Sequence, residues 1–323
     1  MKKINIPDTD LSLSMIGLGT VGAGLDWDHE DADRVFDAYV DNGGNVIDTA
    51  RVYSDWVRPE IGRSERVVGD WLTRSKKRDK VIIITKGGHP DMLAEHVDMH
   101  KSRVARHQME YDINLSLKTL RTDYIDIYFY HRDDTSIPVS ELIETMENFR
   151  REGKIRYYGC SNWTTDRIKE ADEYCRQHNY RGFVANQALL NIGMKYMNPL
   201  DDDTLVSIDG DMYEYHKENK RNLAMPYMGV CSGFFHLYLT GNQDKVKNSP
   251  YNTEKNRKVA EYIKELMNKY NATITQVLLG YFTVLDFDCL PLYGPLNPEQ
   301  IIEALKTADI NFTKDDFKFL YEI

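Results

Sequence analysis

Eight short apolar runs, each followed by a longer amphipathic stretch, most constrain what this chain can fold into. They lie at 15–18, 45–48, 81–86, 124–131, 155–160, 183–187, 223–228 and 289–293. The runs are rich in Val, Ile and Tyr and nearly continuous, the pattern of strands buried on both faces. Between them come the helical patterns DADRVFDAYVDNGG, RVVGDWLTRSK, ARHQMEYDINLSLKTL, VSELIETMENFRREGK, TTDRIKEADEYCRQH and NPEQIIEALKTA. Gly43-Gly44 stops the first, Ser140 is expected to cap the fourth, and Pro298 sits where a first helical turn accepts it. So regular a β-α repeat predicts an α/β fold closed as a (β/α)8 TIM barrel, one domain over residues 1–323. Ahead of it, INIPDTDLSLSMI predicts a β-hairpin turning at Pro7-Asp8 and plugging one barrel end. The longest irregular stretch, 188–209, carries Asp201-Asp202-Asp203 and reads as a solvated acidic loop.

Composition excludes several classes. The hydrophobic fraction is 41% and the mean hydropathy -0.55, which suits a soluble globule with a sizeable core. A net charge of -10 argues against a nucleic-acid partner. The opening MKKINIPDTD has no apolar core behind its lysines, so no signal peptide is read, and no stretch is long enough to span a membrane. Cys160, Cys175, Cys231 and Cys289 form no C-x-x-C, which predicts reduced thiols in a cytoplasmic protein and no metal site.

Residues 17–24, GLGTVGAG, match the G-x-G-x-x-G of a dinucleotide-binding loop. That loop should enter its helix at the third glycine and leave free amides for phosphate. Here Asp26, Asp28, Glu30 and Asp31 follow, and the helical pattern begins only near Asp31. Carboxylates where a pyrophosphate should lie rule that reading out. The chemistry of a β/α barrel sits instead at the C-terminal ends of its strands. Those ends are polar here: NVIDTARVY ends in Asp48 with Tyr53 beyond it, VIIITKGG in Lys86 and YIDIYFYHRDD in His131. IRYYGCSN ends in Ser161-Asn162 and VANQ in Gln187.

These residues, in this order, resemble the aldo-keto reductase family, and the resemblance runs from GLGTVG to GPLNPEQ. It implies an NAD(P)H-dependent oxidoreductase that interconverts a carbonyl (aldehyde, ketone or sugar) and an alcohol. By this resemblance the catalytic tetrad is Asp48, Tyr53, Lys86 and His131, with Tyr53 giving the proton. The nicotinamide half of NADP or NAD falls to Gly19, Thr20, Val21, Asp48, Ser161, Asn162, Gln187 and Tyr227, and the adenosine half to Gly294, Leu296, Asn297, Gln300 and Glu303. The tetrad is chemically sensible. Tyrosine, with an ordinary pKa of about 10, is a weak acid at neutral pH. A lysine cation beside it favours the phenolate, a carboxylate keeps that lysine charged, and a histidine can donate to the carbonyl oxygen.

The adenosine end departs from the family pattern. NADP is the family default, yet Gly294, Leu296 and Gln300 offer none of the lysine or arginine that usually meets a 2′-phosphate, so the chain is expected to accept NAD or to bind NADP more weakly. Candidates for the mouth are Trp56, Arg58, His89, Arg132, Asp133, Asp134, Trp163 and His236, of which Trp56, Arg132, Asp133 and Trp163 are the expected substrate contacts. Aromatics mixed with charges suit a small-molecule carbonyl, with a sugar or polyol among the options. The chain ends at Ile323, soon after its last helical pattern, so an open site without a long C-terminal loop is expected. Two other classes remain: a glycosidase using Asp48 and Asp133, and a cofactor-binding redox sensor resembling potassium-channel β subunits.

Overall fold

The computed structural model describes residues 3–322. It opens with an antiparallel hairpin, β1 (Lys3–Asn5) and β2 (Ser12–Ser14). The turn contains Pro7 and Asp8, and Asp8 takes the left-handed conformation at φ 58 that short polar side chains tolerate. Eight parallel strands follow: β3 (Gly17–Gly19), β4 (Val46–Asp48), β5 (Ile82–Gly87), β6 (Ile125–Tyr130), β7 (Ile155–Ser161), β8 (Ala185–Gln187), β9 (Leu223–Ala224) and β10 (Leu292–Tyr293). Their order is β10-β3-β4-β5-β6-β7-β8-β9.

The two edges of this sheet meet. Leu290 N donates to Ala224 O and Leu292 N to Pro226 O, each at 2.9 Å, beside a parallel bridge between Ala224 and Cys289. The sheet thus closes into the expected (β/α)8 barrel. The last two strands are shorter than the apolar runs that contain them. Pro226 and Pro291 lie inside those runs and bring no amide hydrogen to the ladder.

Helices α1 (His29–Asp41), α2 (Arg63–Ser75), α3 (Arg106–Leu120), α4 (Val139–Arg151) and α5 (Thr165–His178) fall on expected patterns. After them come α6 (Gly210–Glu218), α7 (Phe234–Leu239), α8 (Glu254–Tyr270), α9 (Ile274–Gly280) and α10 (Pro298–Leu305). Ser140 does not cap α4; it lies within the first turn, after an N-cap at Pro138 that has no side-chain hydrogen bond. Asn297 does cap α10, accepting from Gln300 N at 3.0 Å with Pro298 next to it. Among the described residues no helix is long and apolar enough to cross a membrane.

Strand parity sorts the side chains. Val46, Ile84, Ile127, Phe129, Leu223, Leu290 and Leu292 pack inside the barrel, and Ile4, Ile6, Leu11 and Leu13 of the hairpin join the same cluster. The hairpin is therefore a plug that completes the apolar filling of the lumen. Ile47, Ile83, Tyr128 and Tyr130 face outward to the helices, against residues such as Phe36 and Trp71, whose rings stack at 4.9 Å.

The lumen is tight near the site. A Cβ on Gly159 would lie 2.6 Å from the Ala185 carbonyl oxygen and 2.6 Å from the Phe129 ring. Gly159→Ala should therefore lower the unfolding free energy by about 1–3 kcal/mol, read as a lower urea midpoint at unchanged slope. A wild-type midpoint would mean that β7 moves aside at no cost.

Candidate active site

Two-residue periodicity carries the apolar lumen into a polar cluster at the strand C-termini. Val46 and Asp48, Ile84 and Lys86, Phe129 and His131 are each separated by two residues and so share a face. Parallel strands bring those ends to one mouth. Lys86 Nζ donates there to Asp48 Oδ2 at 2.7 Å, Thr49 O at 2.8 Å and the Tyr53 hydroxyl at 2.9 Å. The Lys86 and Asp48 side chains are only 1% and 2% exposed, so the pair is wholly inside the protein. Gln187 Nε2 donates to the second oxygen, Asp48 Oδ1, at 2.7 Å. Every donor of the ammonium and both oxygens of the carboxylate are thus satisfied, as a buried pair requires.

Hydroxyl groups hold Asp48 from behind. Thr20 Oγ1 donates to Asp48 O at 2.8 Å and lies 2.7 Å from Ser64 Oγ, which lies 2.8 Å from Thr49 Oγ1. This Thr20–Ser64–Thr49 chain ties β3, β4 and the start of α2 together, and it engages the Thr20 side chain within the protein. Ser64 gave no signal in the sequence, since its partners are remote in the chain.

His131 completes the cluster, its ring centroid 5.8 Å from that of Tyr53. Its Nδ1 is buried without a partner, whereas Nε2, equally unbonded, is accessible and meets open space. An N–H without an acceptor is the rarer buried state, which places the proton on the accessible Nε2. Burial first, then His89, Arg132 and Lys86, hold His131 well below the ordinary histidine range, so it is a neutral donor. Burial first and Asp48 second push the Tyr53 phenol well above its ordinary value. Arg132 pulls the other way but burial prevails, so the lowering expected from Lys86 does not govern the shift and the phenol keeps its proton. Burial pulls Lys86 itself below its ordinary value, against the upward pull of Asp48.

Ser161 and Gln187 are register partners on β7 and β8, and Asn162 follows with φ 59. Asn162 Nδ2 donates to Ser161 Oγ at 3.1 Å, while Asn162 Oδ1 accepts from Tyr227 Oη at 2.6 Å and Val206 N at 3.1 Å. One hydroxyl and two amides beside a half-buried tyrosine ring form a donor and acceptor set that fits a nicotinamide carboxamide. At the other end, Leu296 is 60% exposed and Gly294 is exposed too, while Val21, exposed on the nicotinamide side, accepts from Ser54 Oγ at 2.6 Å. Gln300 Oε1 accepts from Leu296 N at 2.7 Å, and Glu303 Oε1 accepts from Thr273 Oγ1 at 2.7 Å. Trp27 Nε1 donates to Pro295 O at 2.9 Å, which folds the acidic 26–31 segment toward this end. Arg66 is bound to Asp28, Glu60 and Asp70. The residues named for this end, Gly294, Leu296, Asn297, Gln300 and Glu303, offer hydrogen-bonding groups to an adenosine and include no cation.

At the mouth, several expected substrate contacts are engaged by the protein itself. Arg167 binds Asp133 through Nε at 2.8 Å and Nη2 at 3.1 Å, both atoms of one guanidinium fork. Arg132 is held by Asp202 at 2.9 Å and Thr204 at 3.2 Å, so the acidic loop is not merely solvated. Trp163 is fully buried, donating to Arg132 O at 3.3 Å and packing on Phe183. Asp133 and Trp163 therefore lie behind the mouth, while Trp56 is 49% exposed. His236 is bonded to Thr275, and Arg58 to Leu93 O. Asp48 and Asp133, the two carboxylates a glycosidase would need, are each paired with a cation. Among the described residues no three His, Cys, Asp or Glu side chains gather as metal ligands.

Similarity to known proteins agrees with this layout. The sequence profile of the Aldo/keto reductase family matches residues 15–323. An uncharacterized oxidoreductase of Bacillus subtilis (strain 168), YrpG, is 26% identical over 320 residues, covering 98% of this chain and 93% of that protein. The NADP(+) aryl-alcohol dehydrogenase of Phanerodontia chrysosporium is 24% identical over 341 residues, covering 97% of this chain and 83% of its own. Protein tas of Escherichia coli (strain K12) is 33% identical over 212 residues, 59% of this chain and 61% of that one.

Removing one member of the buried pair should expose its cost. Lys86→Met leaves the Asp48 carboxylate in the lumen with only Gln187, and is expected to destabilise by about 3–5 kcal/mol. Lys86→Met with Asp48→Asn should recover most of that loss in a double-mutant cycle of unfolding free energies. Additive losses would mean that the two groups do not act as a pair.

Proposed function

The chain belongs to the aldo/keto reductase family, and from that premise we propose that it interconverts a carbonyl and an alcohol with NAD(H) or NADP(H), Tyr53 supplying the proton. The observation that carries this reading is the line Asp48–Lys86–Tyr53, closed by bonds of 2.7 and 2.9 Å, with the neutral His131 ring beside it.

When bound, the nicotinamide would supply or accept the hydride at carbon. The protein's own part concerns the oxygen. Neutral His131 offers its Nε2 hydrogen to a carbonyl oxygen and orients it. The Tyr53 phenol keeps its proton until that oxygen becomes an alkoxide, a base strong enough to take it. As the proton leaves, the phenolate forms against an ammonium already 2.9 Å away, so Lys86 stabilises the developing charge more than the starting phenol. Asp48 and Gln187 hold the ammonium in place, and burial excludes water that would weaken each term. Ser161, Asn162, Gln187 and Tyr227 would hold the nicotinamide, aided by the backbone of Gly19, Thr20 and Val21. Gly294, Leu296, Asn297, Gln300 and Glu303 would border the adenosine. The relatives' names, oxidoreductase and aryl-alcohol dehydrogenase, support the reaction class. The substrate would enter past Trp56.

Tyr53→Phe should reduce turnover at least about a hundredfold while nucleotide binding, followed by quenching of tryptophan fluorescence, stays near wild type. Turnover close to wild type would remove Tyr53 from the role. Because His131 lies well below the ordinary histidine range, the reduction rate should show no step between about pH 6 and 8. A protonation step there would make a charged imidazole the donor.

The nucleotide end generates a separate expectation. No cation stands at Gly294, Leu296 or Gln300, Glu299 adds a carboxylate in the first turn of α10, and the net charge is -10. Preference for NADPH over NADH should be modest or reversed, and Leu296→Arg should shift it toward NADPH by about 1–3 kcal/mol. Equilibrium Kd values for both nucleotides, at two salt concentrations, read this directly. A wild type that prefers NADPH a thousandfold would show that a cation from elsewhere reaches the phosphate.

A further inference from the structure

One buried imidazole at the barrel mouth takes no part in the proton transfer. His89 follows β5 by two residues and is 7% exposed. Its ring centroid lies 4.6 Å from that of His131, edge to face at 61°. Its Nδ1 lies 3.0 Å from Pro90 O. A carbonyl oxygen can only accept, so Nδ1 carries the proton and Nε2 is a bare acceptor. That nitrogen has no partner among the described residues, yet it is not sealed from solvent, so it meets open space. Burial first and Arg132 second hold the ring down to about 4, so the acceptor persists at neutral pH. The neighbouring cations are engaged elsewhere, Arg132 with Asp202 and Arg103 with Asp112, and neither donates to it.

The imidazole next to the carbonyl-orienting histidine is therefore an acceptor that lacks a donor. A hydroxyl on the carbon beside the carbonyl supplies one, because its oxygen sits about one hydrogen-bond length from the carbonyl oxygen. We propose that His89 is a specificity-determining residue whose Nε2 accepts a hydrogen bond from a hydroxyl α to the carbonyl, so that α-hydroxy aldehydes and ketones are preferred over their deoxy counterparts. The proposal rests on the carbonyl–alcohol reading above. A deoxy substrate desolvates Nε2 without replacing its water, and such an unpaired polar group separates substrates better than apolar contact does.

Lactaldehyde and propanal differ only by that hydroxyl. Wild type should favour lactaldehyde in kcat/KM by about tenfold. In His89→Phe the ratio should fall to about one, chiefly by loss on lactaldehyde. His89→Gln, whose amide oxygen accepts, should keep part of the preference, with circular dichroism reporting the fold of both variants. A wild-type ratio near one, or an equal fall on both substrates in His89→Phe, overturns the proposal and leaves His89 as packing for His131. A wild type that turns over neither aldehyde, nor 4-nitrobenzaldehyde, overturns the carbonyl reading itself. Turnover of 4-nitrobenzaldehyde without discrimination overturns only the role of His89.

Discussion

The ion pair between Lys86 and Asp48 inside the barrel is the interaction on which the rest of the site depends. Two charges removed from water cost several kcal/mol each, and that cost is met only if every donor and lone pair has a partner. Thr49 O, the Tyr53 hydroxyl and Gln187 are those partners. The same contacts that make the pair tolerable also aim an ammonium at a phenol. Stability and chemistry are therefore one requirement here, and a change in any of the three strands changes both.

The barrel supplies the rigidity that this requires. Asp48, Lys86 and Gln187 come from β4, β5 and β8, and each shares a strand face with apolar residues that fill the lumen below. The hairpin packs Ile4, Ile6, Leu11 and Leu13 against the lumen residues and completes the apolar filling beneath the site. Thr20, Ser64 and Thr49 then lock the ends of β3 and β4 to α2 by hydroxyl contacts of 2.7 and 2.8 Å.

Around this centre the mouth is selective through what it has already paired. Arg132, Asp133 and Trp163 have partners in the protein, which withdraws much of the polarity that a sugar site would present. What stays open is sparse: the half-exposed Trp56, the accessible Nε2 of His131 and that of His89. The two rings thus leave a neutral donor and a bare acceptor side by side, so this part of the mouth offers hydrogen bonding rather than charge.

The amino-acid order by itself determined the eight strands, the hairpin turn and the succession Asp48, Tyr53, Lys86, His131. It did so because strand burial is written in runs of apolar residues and because parity along a strand is a local property. Helices α6 to α9 lie between the last three strands, where the β-α rhythm is broken by long loops, and Ser140 looked like a cap because local preference cannot see that Pro138 already stands at the N-cap of α4. The direction of the Tyr53 shift and the engagement of Asp133 by Arg167 and of Arg132 by Asp202 were decided only by the tertiary structure. Each depends on burial or on a partner up to 70 residues away, and neither quantity has a local signature. Sequence placed Asp48, Lys86 and Gln187 on strands and His131 just past one, as the fold has them; only folding settled which neighbouring polar atoms kept no partner in the protein.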